Sequence, residues 1–312
     1  MSGRRFAFID IGTNTILCLI AELGSGGQFK VLEDLAEITR LGQGVDQTGR
    51  ISMEGEKRSM ETLRFYLARC SDLSVDEVIA VGTSALRDAQ NRNEVRQRFA
   101  EQLGSQVRVI TGDEEAAYSF LAVQKGLSLA GEELLVIDIG GGSTEFIRGN
   151  ETGVSQSVSV DIGSVRLTER FLHSDPPCSE QCDGMAAAID QAIARLRDRW
   201  QAPALTLVGI AGTFTTLAAV EKGLGRYSHS EVHGSMLTLS EVQRQVRLFQ
   251  TKSLVERKRI PGLEPKRADV ILAGAYLAER IMMLFHCEQV IVSDQGVRYG
   301  LLYERLTGAF FC

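Results

Sequence analysis

Two short segments of this chain place an aspartate, glycines and small hydroxyl residues at the end of an apolar run. The first reads Phe8-Ile9-Asp10-Ile11-Gly12-Thr13-Asn14-Thr15 and the second Val136-Ile137-Asp138-Ile139-Gly140-Gly141-Gly142-Ser143-Thr144. Glycine lets backbone N–H groups approach an oxyanion with no Cβ in the way, and Thr or Ser hydroxyls add donors at the rim. Turns of this composition can cradle phosphate. The aspartate at the end of the preceding run points at the same spot, where beside phosphate its role is to hold Mg²⁺ directly or through water. A single Asp-Gly turn does no more than reverse a chain. Two matching copies, 138 − 10 = 128 residues apart, argue for a duplicated fold with a cleft between its halves.

Other nucleotide motifs are excluded. No Gly-x4-Gly-Lys-Ser/Thr run occurs, and Gly140-Gly141-Gly142 leads into a strand-like 144–148 segment where a dinucleotide fingerprint needs a helix. A third Asp161-Ile162-Gly163-Ser164 precedes a helical pattern and is read as a different element. Between the two turns lies Ile110-Thr111-Gly112-Asp113-Glu114-Glu115-Ala116-Ala117. Acidic residues in a first helical turn complement the helix dipole. Leaving a strand of the first half and heading toward the second, this segment also brings a carboxylate where a water can be oriented and deprotonated for phosphoanhydride hydrolysis. Arg87 and Asn91, four apart on an expected helix, share a face where a guanidinium can meet a polyanion, the alternative being a surface ion pair. Arg166 and Arg267 divide between substrate contact and structural pairing.

The elements that must position these groups begin with strands at 6–10, 16–21 and 29–33, joined by turns at 12–15 and 24–27 into an antiparallel meander. A helix at 53–69, strand at 77–81, helix at 84–103, strand at 107–110 and a helix from near Asp113 follow, then strands at 134–138 and 144–148. Strands that alternate with helices imply parallel crossovers. A later strand at 205–208 precedes Gly212 and Thr213. The 312 residues suit two domains. Hydrophobic residues at 44%, charged residues at 24% and only 5 prolines leave no case for a long disordered region. With 34 basic and 40 acidic side chains the net charge is −6, which argues against a broad basic surface for nucleic acid, so an anion must be bound locally. The apolar run at 16–21 is far too short to span a membrane, and a cytoplasmic location with six reduced cysteines is expected. Cys178 and Cys182 beside His173 make a poor zinc pattern, and His229 with His233 is read as part of a polar loop.

At these motifs the sequence resembles the exopolyphosphatase/guanosine pentaphosphate phosphohydrolase family, a branch of the actin-like, ribonuclease-H-like ATPase superfamily. The likeness runs over nearly the whole chain. It includes the two turns, Val81-Gly82-Thr83-Ser84-Ala85-Leu86-Arg87 with Asn91, the segment 111–116, Arg40-Leu41-Gly42-Gln43-Gly44, Gly163 with Arg166, Gly212-Thr213 with Thr216, Arg267-Ala268-Asp269, and Ser293-Asp294 with Gly296 and Arg298. The resemblance implies an α/β fold of two ribonuclease-H-like (actin-like ATPase) domains with an interdomain cleft, residues 1–119 plus 296–312 and residues 120–295, hinged near Ser119 and 294–296. It implies release of terminal phosphate from inorganic polyphosphate and/or guanosine pentaphosphate by Mg²⁺-assisted attack of water, with no nucleic-acid or membrane partner and a homodimer left open.

Under that reading Glu115 is the general base and Glu114 the second choice. Asp138, with Asp10 and Glu145, holds Mg²⁺. Gly12, Thr13, Asn14, Thr15, Gly140, Gly141, Gly142, Ser143 and Thr144 hold phosphate oxygens, and Arg87, Asn91, Arg166 and Arg267 bind substrate. An actin-fold kinase using ATP and a non-catalytic phosphate or nucleotide sensor are the competing classes. Thr13 and Thr15 stand where serines are common in the family, a change that keeps both hydroxyls. The chain ends at Cys312 without the extra helical domains of longer members, so modest processivity on short or moderate polyphosphate is expected.

Overall fold

The strands that carry the two turns are buried on both faces. β1 (Arg4–Ile11) and β6 (Leu134–Ile139) each lie between an antiparallel neighbour and a parallel one, so they read as nearly continuous apolar runs. The computed structural model describes residues 3–24, 27–129, 131–200 and 205–308; residues 25 and 26 of the expected 24–27 turn, and Cys312, lie outside them. The chain divides into two units, Met1–Ala122 with Val297–Cys312, and Val123–Gly296. The helix Gly112–Gly126 continues past Ser119, where the first crossing was expected.

The first unit holds β1, β2 (Thr15–Leu23), β3 (Phe29–Ile38), β4 (Glu77–Gly82) and β5 (Val107–Val109) in the order β3-β2-β1-β4-β5. Side chains alternate between its two faces. Ile9, Ile11, Ile16, Cys18 and Ile20 pack against Leu63, Tyr66, Val95 and Phe99, whereas Phe6, Phe8, Leu19 and Ala21 pack against Tyr118, Val297 and Leu301. The returning helix Val297–Thr307 is anchored by Arg298, whose Nε and Nη2 donate to the two oxygens of Asp34 at 2.8 and 3.0 Å, and by Tyr299 Oη, 3.0 Å from Asp34 Oδ2. A Cβ on Gly300 would stand 2.7 Å from Tyr118 Cα, so glycine lets this helix lie close against the helix Gly112–Gly126.

The second unit holds β6, β7 (Thr144–Asn150), β8 (Gly153–Val160), β9 (Thr206–Ile210), β10 (Met236–Thr238) and β11 (Gln289–Val292), ordered β10-β11-β9-β6-β7-β8. Read from the meander inward, β8-β7-β6-β9 repeats β3-β2-β1-β4. Among the described residues no helix is long and apolar enough to cross a membrane.

One expected element is broken. The 84–103 helix is two helices, Ser84–Asp88 and Arg92–Leu103, because Asn91 is drawn aside. Its Oδ1 accepts from Ile51 N–H at 2.9 Å and its Nδ2 donates to Ile51 O at 3.0 Å. Arg87 and Asn91 therefore do not share a helical face, and the Asn91 amide, expected to bind substrate, is engaged by a backbone forty residues away.

Candidate active site

In the first unit β1 delivers Asp10 to a turn in which Gly12 N–H donates to Thr15 O at 3.1 Å. A Cβ on Gly12 would lie 2.8 Å from that oxygen, so only glycine fits. The turn's carbonyls are held from behind. Thr13 O accepts from Gly42 N–H at 2.8 Å, and Asn14 O accepts from Thr39 N–H at 3.0 Å and Arg40 N–H at 2.9 Å. A planar trans peptide points its C=O and its N–H in opposite directions, so fixing Thr13 O turns the Asn14 N–H away from the 39–42 segment. Among the described residues no hydrogen bond reaches the buried Thr13 Oγ1 or Asn14 Oδ1, which leaves both for a ligand or water to match.

Glu115 lies in the first turn of the helix Gly112–Gly126 and is only 8% exposed. Arg87 Nη1 donates to Glu115 Oε2 at 2.5 Å and to Ile110 O at 3.2 Å. Burial pushes the Glu115 carboxyl up from the ordinary glutamate value, and the neighbouring Arg87 opposes this without cancelling it. A carboxylate moved in that direction is better matched to accepting a proton from water. Glu114 is engaged otherwise. Its Oε2 accepts from Thr111 N–H at 2.7 Å while Thr111 Oγ1 accepts from Glu114 N–H at 3.1 Å, a reciprocal helix cap, and its Oε1 meets Arg108 at 3.2 Å.

The second turn is braced in the same manner. Gly140 O accepts from Ser164 N–H at 3.0 Å, Gly141 O from Val165 N–H at 2.9 Å and Arg166 N–H at 3.1 Å, and Gly142 O from Arg166 Nε–H at 2.8 Å. With three consecutive carbonyls facing the start of the helix Ser164–Phe171, the N–H groups of Gly141, Gly142 and Ser143 face away from it, as an anion nest requires. A Cβ on Gly163 would come within 2.7 Å of Gly142 N and collide with Gly141 O. The third Asp-Ile-Gly-Ser motif is thus the clamp behind the second turn. Arg166, left between substrate contact and structural pairing, uses its Nε on this clamp. Thr144 departs from the rim role expected of it: it is fully buried, and its hydroxyl donates to Ile162 O at 2.6 Å, tying β7 to that clamp.

Asp138 and Glu145 are direct cross-strand partners on β6 and β7, 8% and 1% exposed, with Ser159 Oγ donating to Glu145 Oε1 at 2.8 Å. Facing positions put both side chains on one face, with Cβ atoms about 4.5–5.5 Å apart, where two carboxylates repel unless a proton or cation intervenes. Such an all-oxygen pair fits Mg²⁺, which takes one or two carboxylates and completes its shell with water and phosphate oxygens. Among the described residues no three His, Cys, Asp or Glu side chains gather around one point, so Mg²⁺ here would depend on those further oxygens. The partner of Asp10 across β1 and β2 is Leu17, so the first turn has no second carboxylate at that level.

Elsewhere in the second unit the Arg267 guanidinium lies on Gly212, where any Cβ would collide with it, and burial lowers its pKa from the ordinary arginine value. His229 and His233 stack at 5.1 Å; His229 Nδ1 is 2.8 Å from Asp294 Oδ2, and His233 bridges Gly126 O at 3.1 Å and Asp294 N–H at 3.3 Å. Cys178 is exposed just before the helix Ser179–Arg199, whereas Cys182 is buried within it.

With this geometry established, the Ppx/GppA phosphatase family model matches residues 19–308. The chain belongs to the Ppx/GppA phosphatase family. It is similar to Exopolyphosphatase 2 of Mycobacterium tuberculosis, with 36% identity over 314 residues covering 96% of this chain and 98% of that relative. The crystal structure of the Aquifex aeolicus Ppx/GppA family member superimposes with a TM-score of 0.81 at 34% identity over 99% of both chains. An exopolyphosphatase from Cytophaga hutchinsonii gives a TM-score of 0.90 at 29% identity over 98% of this chain and 99% of that one. The mixed α/β architecture is therefore that of the Ppx/GppA phosphatases, with two actin-like domains. What sequence reasoning missed in this Ppx/GppA fold is the bracing of the turns: the 39–42 segment had no assigned role, and Arg58, which grips that segment, was not singled out. The available signals were the unexplained Asp161-Ile162-Gly163-Ser164 repeat and the paired glycines Gly42 and Gly44.

Proposed function

We propose that this protein removes the terminal phosphate of inorganic polyphosphate by attack of water on the last phosphoanhydride. The observation that carries the proposal is the division of labour between adjacent glutamates. Glu114 is consumed by a helix cap, while Glu115 is buried, aligned by Arg87 and shifted toward proton acceptance. Glu115 would take the proton of the attacking water as the new P–O bond forms. The N–H groups of Asn14, Gly141, Gly142 and Ser143 would offset charge on the phosphoryl and leaving oxygens, the main demand of phosphoryl transfer. Asp138 and Glu145 would hold Mg²⁺, which when bound would supply positive charge against the developing anion. The family relatives named exopolyphosphatases support polyphosphate as the substrate class.

The test is release of free phosphate from long-chain polyphosphate, guanosine pentaphosphate, or ATP with candidate acceptors, each with and without Mg²⁺. Mg²⁺-dependent release from polyphosphate is expected. Release from guanosine pentaphosphate alone would move the specificity to the nucleotide, and phosphate transfer to an acceptor without free phosphate would make the protein a kinase.

A further inference from the structure

We propose that Arg58 positions the first phosphate loop, a role that rests on reading that loop as a phosphate cradle. The helix Met53–Asp72 presents Gly55 and Arg58, three apart and so on one face, to the carbonyls of the 39–41 segment. Arg58 Nε–H donates to Thr39 O at 2.7 Å, and its Nη2 lies 3.4 Å from both Arg40 O and Gln43 Oε1. A Cβ on Gly55 would stand 3.1 Å from Leu41 O and 3.2 Å from Arg40 O, so the helix approaches this segment more closely than a side chain would readily allow.

The segment needs such a grip because Arg40 has φ 53°, the left-handed region that a side-chain-bearing residue occupies only under constraint. Thr39 N–H and Arg40 N–H both donate to one acceptor, Asn14 O, and the Arg40 N–H shares a planar peptide with the Thr39 carbonyl that Arg58 holds. The carbonyls on either side of the Arg40 Cα are the two that the Arg58 fork holds, so one planar guanidinium restrains both torsions of the strained residue. Through Asn14 O, and through Gly42 N–H on Thr13 O, the restraint passes to the loop and sets the direction of its N–H groups. Arg166 acts on Gly142 O in the second unit by the same device, a helix-borne Nε–H on a backbone carbonyl.

The experiment compares wild type, Arg58→Met, Arg58→Lys, Arg40→Gly and Arg58→Met/Arg40→Gly, measuring polyphosphate hydrolysis, tripolyphosphate binding by calorimetry, and Tm. Arg58→Met is expected to lower kcat/KM by about 10- to 100-fold, mostly through KM, because a small displacement of a positioning group has effects of that size. Arg58→Lys, with one donor left for Thr39 O, recovers part of the loss. Glycine adopts φ 53° without strain, so in the Arg40→Gly background the loss on removing Arg58 should shrink to under about threefold. An equal loss in both backgrounds, or a lower Tm with unchanged kinetics and binding, overturns the proposal. Should Arg58→Met fail to fold, Arg58→Lys decides, a raised KM supporting the role and wild-type kinetics and binding contradicting it. Wild-type protein that binds tripolyphosphate without hydrolysing polyphosphate would remove the hydrolase reading alone; the brace is then judged by whether Arg58→Met weakens that binding or leaves it unchanged.

Discussion

Glu115 is asked to be ionised where burial disfavours charge, and that conflict yields a prediction in both activity and stability. Its carboxyl is raised by burial in the folded protein, so between the ordinary glutamate value and the raised one the folded state binds more protons than the unfolded chain. Stability therefore falls as pH rises through that window and stays lower above it. Glu115→Gln removes the buried charge while its amide oxygen still accepts from Arg87. Its Tm at pH 7.5 should be no lower than that of wild type, and the difference should close below the ordinary glutamate range, as scanning calorimetry would register. In the same protein kcat should drop by roughly 10²–10⁴. For wild type, activity should be lost as pH falls, with the acid limb of kcat/KM centred above the ordinary glutamate value. A limb centred at or below that value would show that burial does not govern this carboxyl.

At the scale of elements, each glycine turn is one layer of a two-layer device: a hairpin turn in front and a bracing segment behind. Gly163→Ala inserts a methyl group against Gly141 O and Gly142 N, so the second turn must shift. The expectation is a loss of about 10²-fold in kcat/KM, with retained α/β circular dichroism. Unchanged kinetics in that variant would mean that the clamp does not set the turn. The front layer was legible in the sequence because two of the three Asp-Ile-Gly runs lead through small and hydroxyl residues into a strand-like segment. The rear layer was not, since its hydrogen bonds join backbone groups distant in sequence, such as Ser164 N–H with Gly140 O. The broken 84–103 helix has the same origin. Residues 89–91 contain neither proline nor glycine, and the interruption comes from the Asn91 pairing with Ile51.

For the molecule as a whole, the internal likeness around Asp10 and Asp138 foretold a duplicated fold; the two sheets share a strand order, and those aspartates occupy equivalent places, opposite Val81 on β4 and Ile210 on β9. The sequence pattern did not show how far the halves have diverged: Leu17 faces Asp10 where Glu145 faces Asp138, a difference visible only once the register is known. The last helix, returned to the first unit, packs through Val297 and Leu301 and is tied by the Arg298–Asp34 pair, whose guanidinium is nearly buried. Asp34→Leu would remove the carboxylate that accepts from both Arg298 and Tyr299 and should cost about 3–5 kcal/mol of stability, seen as a lower urea midpoint. A midpoint within error of wild type would show that the helix is held by its apolar contacts alone. The central claim is that water activated by Glu115 attacks a terminal phosphoanhydride, and hydrolysis of polyphosphate in ¹⁸O-enriched water measures this most directly. The account predicts one solvent-derived ¹⁸O in each phosphate released by wild type and a release rate lower by roughly 10²–10⁴ for Glu115→Gln; unlabelled phosphate, or a Glu115→Gln rate equal to that of wild type, would contradict it.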